Sequence, residues 1–179
     1  REFDEKRAEA RRAMIRTAEA TLSCKFDGEP LIVGTSGRYE FRNKGIDIFL
    51  DALKQLAETD ALDREVLVYI TVPSATTGPR KDLQAHLADE NSPIDPKQNR
   101  FCTHYLEHPE WDQILNSIAG SVLANPSSKV KVVFVPTYLN GRDGIFDKSY
   151  YELLVGMDMT LFPSYYEPWG YTPLESTAF

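Results

Sequence analysis

Two short stretches of the chain carry residue types and spacings suited to chemistry. The first is Gly37-Arg38-Tyr39-Glu40-Phe41-Arg42-Asn43-Lys44-Gly45, with three cations inside seven residues. Arg38 offers a planar fork that can hold two phosphate oxygens, and Lys44 a compact point charge. Taken alone, the stretch also fits a solvated basic turn. The second is Phe162-Pro163-Ser164-Tyr165-Tyr166-Glu167-Pro168-Trp169-Gly170-Tyr171-Thr172-Pro173-Leu174-Glu175. Its carboxylates, Glu167 and Glu175, stand eight positions apart. Gly170 permits close backbone approach, and Tyr171 and Thr172 offer N–H groups at a helix start. Pro173 gives up an N–H that a first turn leaves unpaired anyway. The aromatics around Trp169 can line a sugar or a base. Alone, this stretch also fits a packed loop with a capping acid. Read together, clustered cations on one loop and a spaced pair of carboxylates beside a helix N-terminus on another make a site for a phosphorylated sugar.

The elements that must position these loops are legible as alternating strands and helices. Residues 2–23 read as a helix with Met14, Ala18 and Leu22 along one stripe and charges of both signs elsewhere. Leu31 to Ser36 is a short apolar strand. Ile46, Phe49, Leu50, Leu53, Leu56 and Ala57 follow helical spacing. Val66 to Val72 is a second apolar strand without alternation, as in a sheet covered on both faces. Pro73 to Pro79 reads as loop, Asp82 to Asp89 as helix, and Asn91 to Asn99 as loop. A helix is expected from His108-Pro109-Glu110, with Trp111, Ile114, Leu115, Ile118, Ala119, Val122 and Leu123 as its buried stripe, ended by Asn125-Pro126. Lys129 to Val135 is a third strand, Tyr138 to Asp147 a loop, Tyr150 to Gly156 a helix, and Met159 to Phe162 a fourth strand before a final helix. Strands alternating with helices predict an α/β fold, a parallel sheet with helices on both faces. Ligands then sit at the carboxyl ends of the strands, so the loops after the first and fourth strands carry the site.

Composition narrows the function classes. The 179 residues carry 20 Lys+Arg against 27 Asp+Glu, a formal charge of −7, with 42% apolar residues. A chain this acidic, with no Lys/Arg block, lacks the electrostatic footprint of a nucleic-acid binder. No apolar run approaches the ~20 residues of a membrane span. Two cysteines, Cys24 and Cys102, read as free thiols of a reducing compartment, and a cytoplasmic enzyme is expected. Neither common phosphate-loop signature is present, and Gly34-Thr35-Ser36-Gly37 is one residue too short for a nucleophile elbow. Cys102, His104 and His108 lie close in sequence, but their spacing matches no standard zinc site, and no metal is expected. The chain starts without Met and ends inside a helix, so it reads as a piece of a longer polypeptide.

At the two chemical stretches the chain resembles a known family. Arg38-x5-Lys44-Gly45 and Glu167-Pro168-Trp169-Gly170-x4-Glu175 look like the retaining GT-B glycosyltransferases. The longer strings, Gly37 to Gly45 and Pro163 to Pro173, closely resemble the glycogen synthase family of the eukaryotic type, glycosyltransferase family 3. The resemblance runs from about Leu31 to Phe179. Its middle, Pro73 to Asn125, is weaker and shorter than in yeast or animal enzymes, which favours a bacterial member. Other retaining GT-B transferases, such as sucrose- or trehalose-phosphate-type synthases, carry different residues around the paired glutamates. For the fragment alone, a non-catalytic nucleotide-sugar-binding module is the other alternative.

The resemblance implies two Rossmann-like domains with the active site between them. Residues 1–28 would be a helical lead-in or linker, and 29–179 the nucleotide-sugar-binding domain, incomplete at its C-terminus. Arg38 and Lys44 would hold the donor diphosphate, and Glu167 would lie by the donor glucose; these three form the implied catalytic set. Glu175 would accept from the ribose hydroxyls, and backbone at Tyr171 and Thr172 would face the phosphates. Tyr150 falls where the family stacks an aromatic on the base, with Tyr151 next to it as the alternative register, and Trp169 and Gly170 complete the implied binding set. The implied reaction moves glucose from a nucleotide-glucose, UDP-glucose with ADP-glucose as the alternative, to the 4-hydroxyl of an α-1,4-glucan, with retention. It needs no metal or other cofactor. The implied partners are the donor, the glucan and the N-terminal domain of the same polypeptide, with a homo-oligomer left open.

Overall fold

The computed structural model describes residues 2–59 and 61–179. Its helices are α1 (Glu2–Leu22), α2 (Ile46–Ala57), α3 (Lys81–Ala88), α4 (Gln113–Ala119), α5 (Tyr150–Leu154) and α6 (Tyr171–Ala178). Its strands are β1 (Leu31–Ser36), β2 (Val66–Thr71), β3 (Thr76–Pro79), β4 (His104–Leu106), β5 (Val130–Val135) and β6 (Met159–Thr160).

Four strands form the expected parallel sheet, in the order β5-β2-β1-β6. Leu31 pairs with Val66, Val66 with Val130, and Val33 with Met159. All six residues of β2 are buried, which explains why its sequence, VLVYIT, shows no alternation: both of its faces are covered. Helices α2 and α4 pack on one another and on β5, and α1 packs against α3, α5 and β5. The core is Ile32, Leu50, Leu67, Ile70, Ile114, Ile118 and Phe134 with their neighbours, each with almost no exposed surface.

Helix α1 is part of the same core. Met14 and Ala18 are fully buried, and Met14 contributes its carbonyl to the Tyr69 hydroxyl at 2.6 Å. Arg11, also buried, donates to Asp158 Oδ2 (2.8 Å), Glu29 Oε1 (2.5 Å), and the carbonyls of Gly156 and Pro30 (2.9 Å each). Asp158 in turn accepts from the Ile32 N–H at 2.8 Å. A buried guanidinium is tolerable only when its donors are satisfied in this way, and the arrangement fastens α1 to the starts of β1 and β6.

Three sequence expectations are corrected. The segment Pro73 to Pro79 is not all loop: β3 pairs antiparallel with β4 in a separate two-stranded sheet. Thr76-Thr77-Gly78-Pro79 has no apolar period, and its partner is remote in sequence, so nothing local announces it. The helix expected from Pro109 is broken. Pro109–Trp111 is a 3-10 turn, and the Asp112 carboxylate takes the Leu115 N–H at 2.8 Å, restarting the helix at Gln113. The restart changes the helical phase, so Trp111 points outward at 75% exposure instead of joining the buried Ile114, Leu115 and Ile118. The helix also ends at Ala119, where Gly120 and Ser121 turn the chain into a second 3-10 segment. The fourth strand is shorter than expected, pairing only Met159 and Thr160 before Pro163.

Candidate functional site

The strand order fixes where a ligand can bind. The chain runs outward from β1 to β2 and β5, then returns to the other side of β1 for β6. The switch point therefore lies between the carboxyl ends of β1 and β6. The loops leaving these two strands are the two chemical stretches of the sequence.

The loop after β1 is held by its own backbone. Lys44 N–H donates to the Glu40 carbonyl (2.9 Å), and Gly45 N–H to that of Arg42 (2.8 Å). Tyr39 anchors it to the neighbouring layer. Its hydroxyl donates to Asp112 Oδ2 at 2.9 Å and accepts from the Ile114 N–H at 3.2 Å, while its ring meets Phe134 edge-on at 6.2 Å. Burial raises the Tyr39 phenol well above its ordinary value. Burial also raises the Asp112 carboxyl, against the lowering effect of the hydrogen bonds it accepts from Leu115 N–H and Tyr39.

The two loops meet at Gly45. It has φ +65°, and a Cβ there would lie 1.9 Å from the Pro163 carbonyl oxygen. Tyr165 N–H closes the contact by donating to the Asn43 carbonyl at 3.0 Å. This approach brings Lys44 into an ion pair with Glu167, a residue 123 positions away. Ser164 Oγ adds a longer hydrogen bond to Glu167, 3.3 Å. The Lys44 hydrogen bond and charge hold the Glu167 carboxyl below the usual range, so it stands ionised. Arg38 is different: its side chain is mostly exposed and pairs with Glu40 at 3.1 Å.

Beside this contact lies a cleft of about 530 Å³. Of the residues the sequence singled out, Arg38, Tyr150, Thr172 and Glu175 line it. Lys44 and Glu167 line a small adjoining hollow that shares Arg38 and Thr172 with the cleft. Trp169, Gly170 and Tyr171 line neither; Trp169 and Tyr171 are exposed, and Gly170 caps α6 without any side-chain acceptor for the first-turn N–H groups. That leaves the start of α6 open to an anion.

The cleft also uses residues that sequence reasoning missed. Thr71 ends β2 and Pro73 follows it, and Thr137 to Asn140 follow β5, so the carboxyl ends of β1, β2 and β5 join α5 and α6 in lining it. Tyr150 Oη and Ser36 Oγ share a hydrogen bond at 2.8 Å, tying α5 to the end of β1. Tyr151 Oη donates to Glu175 Oε1 at 2.8 Å and holds that carboxylate at the cleft edge. A Ser149–Glu152 capping box fixes the start of α5 and hence both tyrosines. Tyr151, the alternative register for the base-stacking tyrosine, thus lines the cleft together with Tyr150. A second cavity of about 490 Å³ lies between α1 and α3, with Cys24 and His86, away from the strand ends.

Cys102, His104 and His108 do not converge. Cys102 Sγ donates to the His104 carbonyl, and burial pushes its thiol up to about 12. His104 is engaged through both ring nitrogens, with Thr103 Oγ1 at 2.8 Å and the Asp143 carbonyl at 3.0 Å. Among the described residues no group of His, Cys, Asp or Glu side chains could hold a metal ion.

A family model described as glycogen synthase matches residues 84–179. The Neurospora crassa glycogen (starch) synthase is 30% identical over 209 aligned positions, which cover 85% of this chain and 30% of that protein. The Caenorhabditis elegans glycogen (starch) synthase is 28% identical, covering 80% of this chain and 29% of that protein. The Homo sapiens liver glycogen (starch) synthase is 29% identical, covering 82% and 28%. The chain thus spans about 30% of the length of the curated relatives it matches. Glu167 and Glu175 fall among the residues that the family model matches.

Proposed function

Because the chain belongs to the glycogen synthase family, we propose that it is the nucleotide-sugar-binding part of a retaining glucosyltransferase that extends an α-1,4-glucan. The observation that carries this reading is the pairing of Lys44 with Glu167 across the switch point, beside a cleft that ends at the open N-terminus of α6.

In this reading the donor's diphosphate lies between Lys44, Arg38 and the first-turn N–H groups of α6. Charge builds on the leaving phosphate as its bond to the anomeric carbon breaks. Positive groups fixed in advance at that position stabilise the transition state more than the ground state. Glu167, ionised and held by Lys44, positions the donor glucose through its hydroxyls. Glu175, steadied by Tyr151, accepts from the ribose, and Tyr150 lies against the base. The acceptor's 4-oxygen forms the new bond to the anomeric carbon on the face the diphosphate leaves. The hydroxyl proton passes to the departing phosphate oxygen, and configuration is retained. An ion-paired Glu167 is better suited to orienting sugar hydroxyls than to serving as a covalent nucleophile. We further propose UDP-glucose as the donor and the cytoplasm as the compartment, the latter on the free thiols Cys24 and Cys102. No described helix is long and apolar enough to cross a membrane. The small share of its relatives that the chain spans supports a second domain supplying the opposite wall of the cleft.

The test uses the full-length enzyme, supplied separately with UDP-glucose and ADP-glucose together with glycogen. Glucose incorporation that disappears in Lys44→Ala is expected and names the donor. A folded enzyme that incorporates glucose from neither donor overturns the reading in favour of another acceptor or a binding role.

A further inference from the structure

The loop after β1 carries a charged pair whose second member has no place in the donor cleft. Arg38 lines both the cleft and the adjoining hollow that holds Lys44 and Glu167. The Glu167 carboxyl, held below the usual range chiefly by its Lys44 hydrogen bond, also feels the Arg38 charge. Glu40 lines neither cavity. Its carboxylate nevertheless makes two contacts: Oε1 lies 3.1 Å from Arg38 Nε, and Oε2 accepts from Asn43 Nδ2 at 2.7 Å.

The backbone is what brings Arg38 and Glu40 together. Glu40 N–H donates to the Arg38 carbonyl at 2.8 Å, the three-residue closure of a γ-turn centred on Tyr39. The Tyr39 hydroxyl, fixed between Asp112 and the Ile114 N–H, anchors the apex of that turn to the neighbouring layer. Arg38 and Glu40 flank the apex and meet each other. The Asn43 contact serves the far end of the loop, where the Asn43 carbonyl takes the Tyr165 N–H of the second loop.

The nitrogen that Glu40 takes decides its role. A carboxylate competing with a ligand would occupy the end of the guanidinium fork, Nη1 and Nη2, as a bidentate partner does. Glu40 instead approaches at Nε, on the stem side, and the terminal nitrogens donate to no described residue. The fork is thereby left with two N–H donors for two phosphate oxygens. The contact also restrains a side chain that is 77% exposed and would otherwise spread over many rotamers.

We propose that Glu40 is a positioning residue that orients the Arg38 fork toward the donor's diphosphate before the donor arrives. The proposal rests on the glucosyl-transfer reading for its ligand. A group oriented in advance stabilises the charge that builds on the leaving phosphate without reorganising during the reaction. Glu40 touches neither donor nor acceptor, so its whole effect passes through Arg38.

The experiment is a double-mutant cycle in the full-length enzyme, with Arg38→Ala, Glu40→Ala and the two combined, and with Glu40→Gln beside them. The readouts are kcat at saturating UDP-glucose and glycogen, and the Kd for UDP by calorimetry, which involves no turnover. Glu40→Ala lowers kcat about tenfold and weakens UDP about threefold. Glu40→Gln keeps an oxygen for Arg38 Nε and recovers most of the turnover. In the Arg38→Ala background, Glu40→Ala costs no further turnover. UDP binds no more weakly there either, because a carboxylate has left the neighbourhood of the diphosphate. Losses of equal size in both backgrounds mean that Glu40 holds the loop and not the fork, and overturn the proposal. So does a Glu40→Ala enzyme with wild-type turnover and wild-type UDP binding. If the wild-type enzyme makes no glucan, the glucosyl-transfer reading fails. The cycle on UDP binding then decides alone: coupling between Arg38 and Glu40 keeps the proposal, and additivity overturns it. A wild-type enzyme that binds no UDP overturns both.

Discussion

Gly45 and Pro163 touch where no side chain could be placed between them. The left-handed conformation of Gly45 and the 1.9 Å that would separate its Cβ from the Pro163 carbonyl oxygen both demand glycine there. This contact joins the loop leaving β1 to the loop leaving β6, and it sets the approach of Lys44 to Glu167. The charge pair at the switch point is thus a consequence of backbone packing, and the candidate site depends on a residue with no functional group.

Gly45→Ala is expected to displace the Pro163 loop, because the obstructing atom is backbone and cannot rotate aside. The strained φ and the steric overlap together should cost ~2–4 kcal/mol. A urea titration followed by circular dichroism measures it as a lowered unfolding midpoint. An unchanged midpoint would mean that the Pro163 loop gives way freely, and that the Lys44–Glu167 approach does not depend on this contact.

Lys44→Ala and Arg38→Ala, made in the full-length enzyme, should each cost ~3 kcal/mol or more of transition-state stabilisation, chiefly in kcat. Lys44 is the more enclosed of the two, and Arg38 sits exposed on its pair with Glu40. Steady-state kinetics at saturating donor and glucan check both. Turnover at the wild-type level in both variants would remove the diphosphate role from this loop.

Much of this arrangement was legible because it is local. The stripe Ile46, Phe49, Leu50, Leu53 needs only its own turn spacing to announce α2, and the apolar runs of β1, β2 and β5 announce a sheet covered on both faces. The charges of the first loop and the paired glutamates of the second show their chemistry through side-chain type alone. What escaped depends on remote partners. Strand β3 exists because His104 to Leu106 pairs with it, and Thr76-Thr77-Gly78-Pro79 shows no trace of that. Trp111 fits the apolar period of the helix after it, and only the Asp112 cap throws it outward. Thr71, Pro73 and Thr137 to Asn140 become cleft walls through strand order, which their own residue types do not reveal.

Glu175→Ala should raise the donor KM more than it lowers kcat, as fits a group that binds ribose and does not touch the breaking bond. Tyr151→Phe should move the donor KM in the same direction by less, about fivefold, since it removes the single hydrogen bond that steadies Glu175. Initial rates over a range of donor concentrations separate the two parameters. A fall mainly in kcat for Glu175→Ala would place its role at the reacting centre instead.

His104 should give the chain a dependence of stability on pH in a window where few other groups titrate. Burial lowers its folded-state value below the ordinary 6.5, only partly offset by the Asp143 carbonyl it meets. In the neutral ring, Nε2–H donates to that carbonyl, and Nδ1 accepts from Thr103 Oγ1. Between the depressed folded value and ~6.5 the unfolded chain binds a proton that the folded chain refuses. Stability therefore falls as pH drops below ~6.5, at no more than ~1.4 kcal/mol per pH unit for one proton, and the effect is absent above about pH 7.5. His104→Gln keeps an N–H donor for the Asp143 carbonyl but cannot titrate. Its midpoint should be lower at pH 7.5, where the ring's packing is missed, and should then lose less than the wild type between pH 7.5 and 5.5. Carboxylates, including the raised Asp112, are common to both proteins, so their slope cancels from the comparison. Urea midpoints of the two proteins at several pH values make the comparison, and parallel lines would show that His104 titrates alike in the folded and unfolded chains.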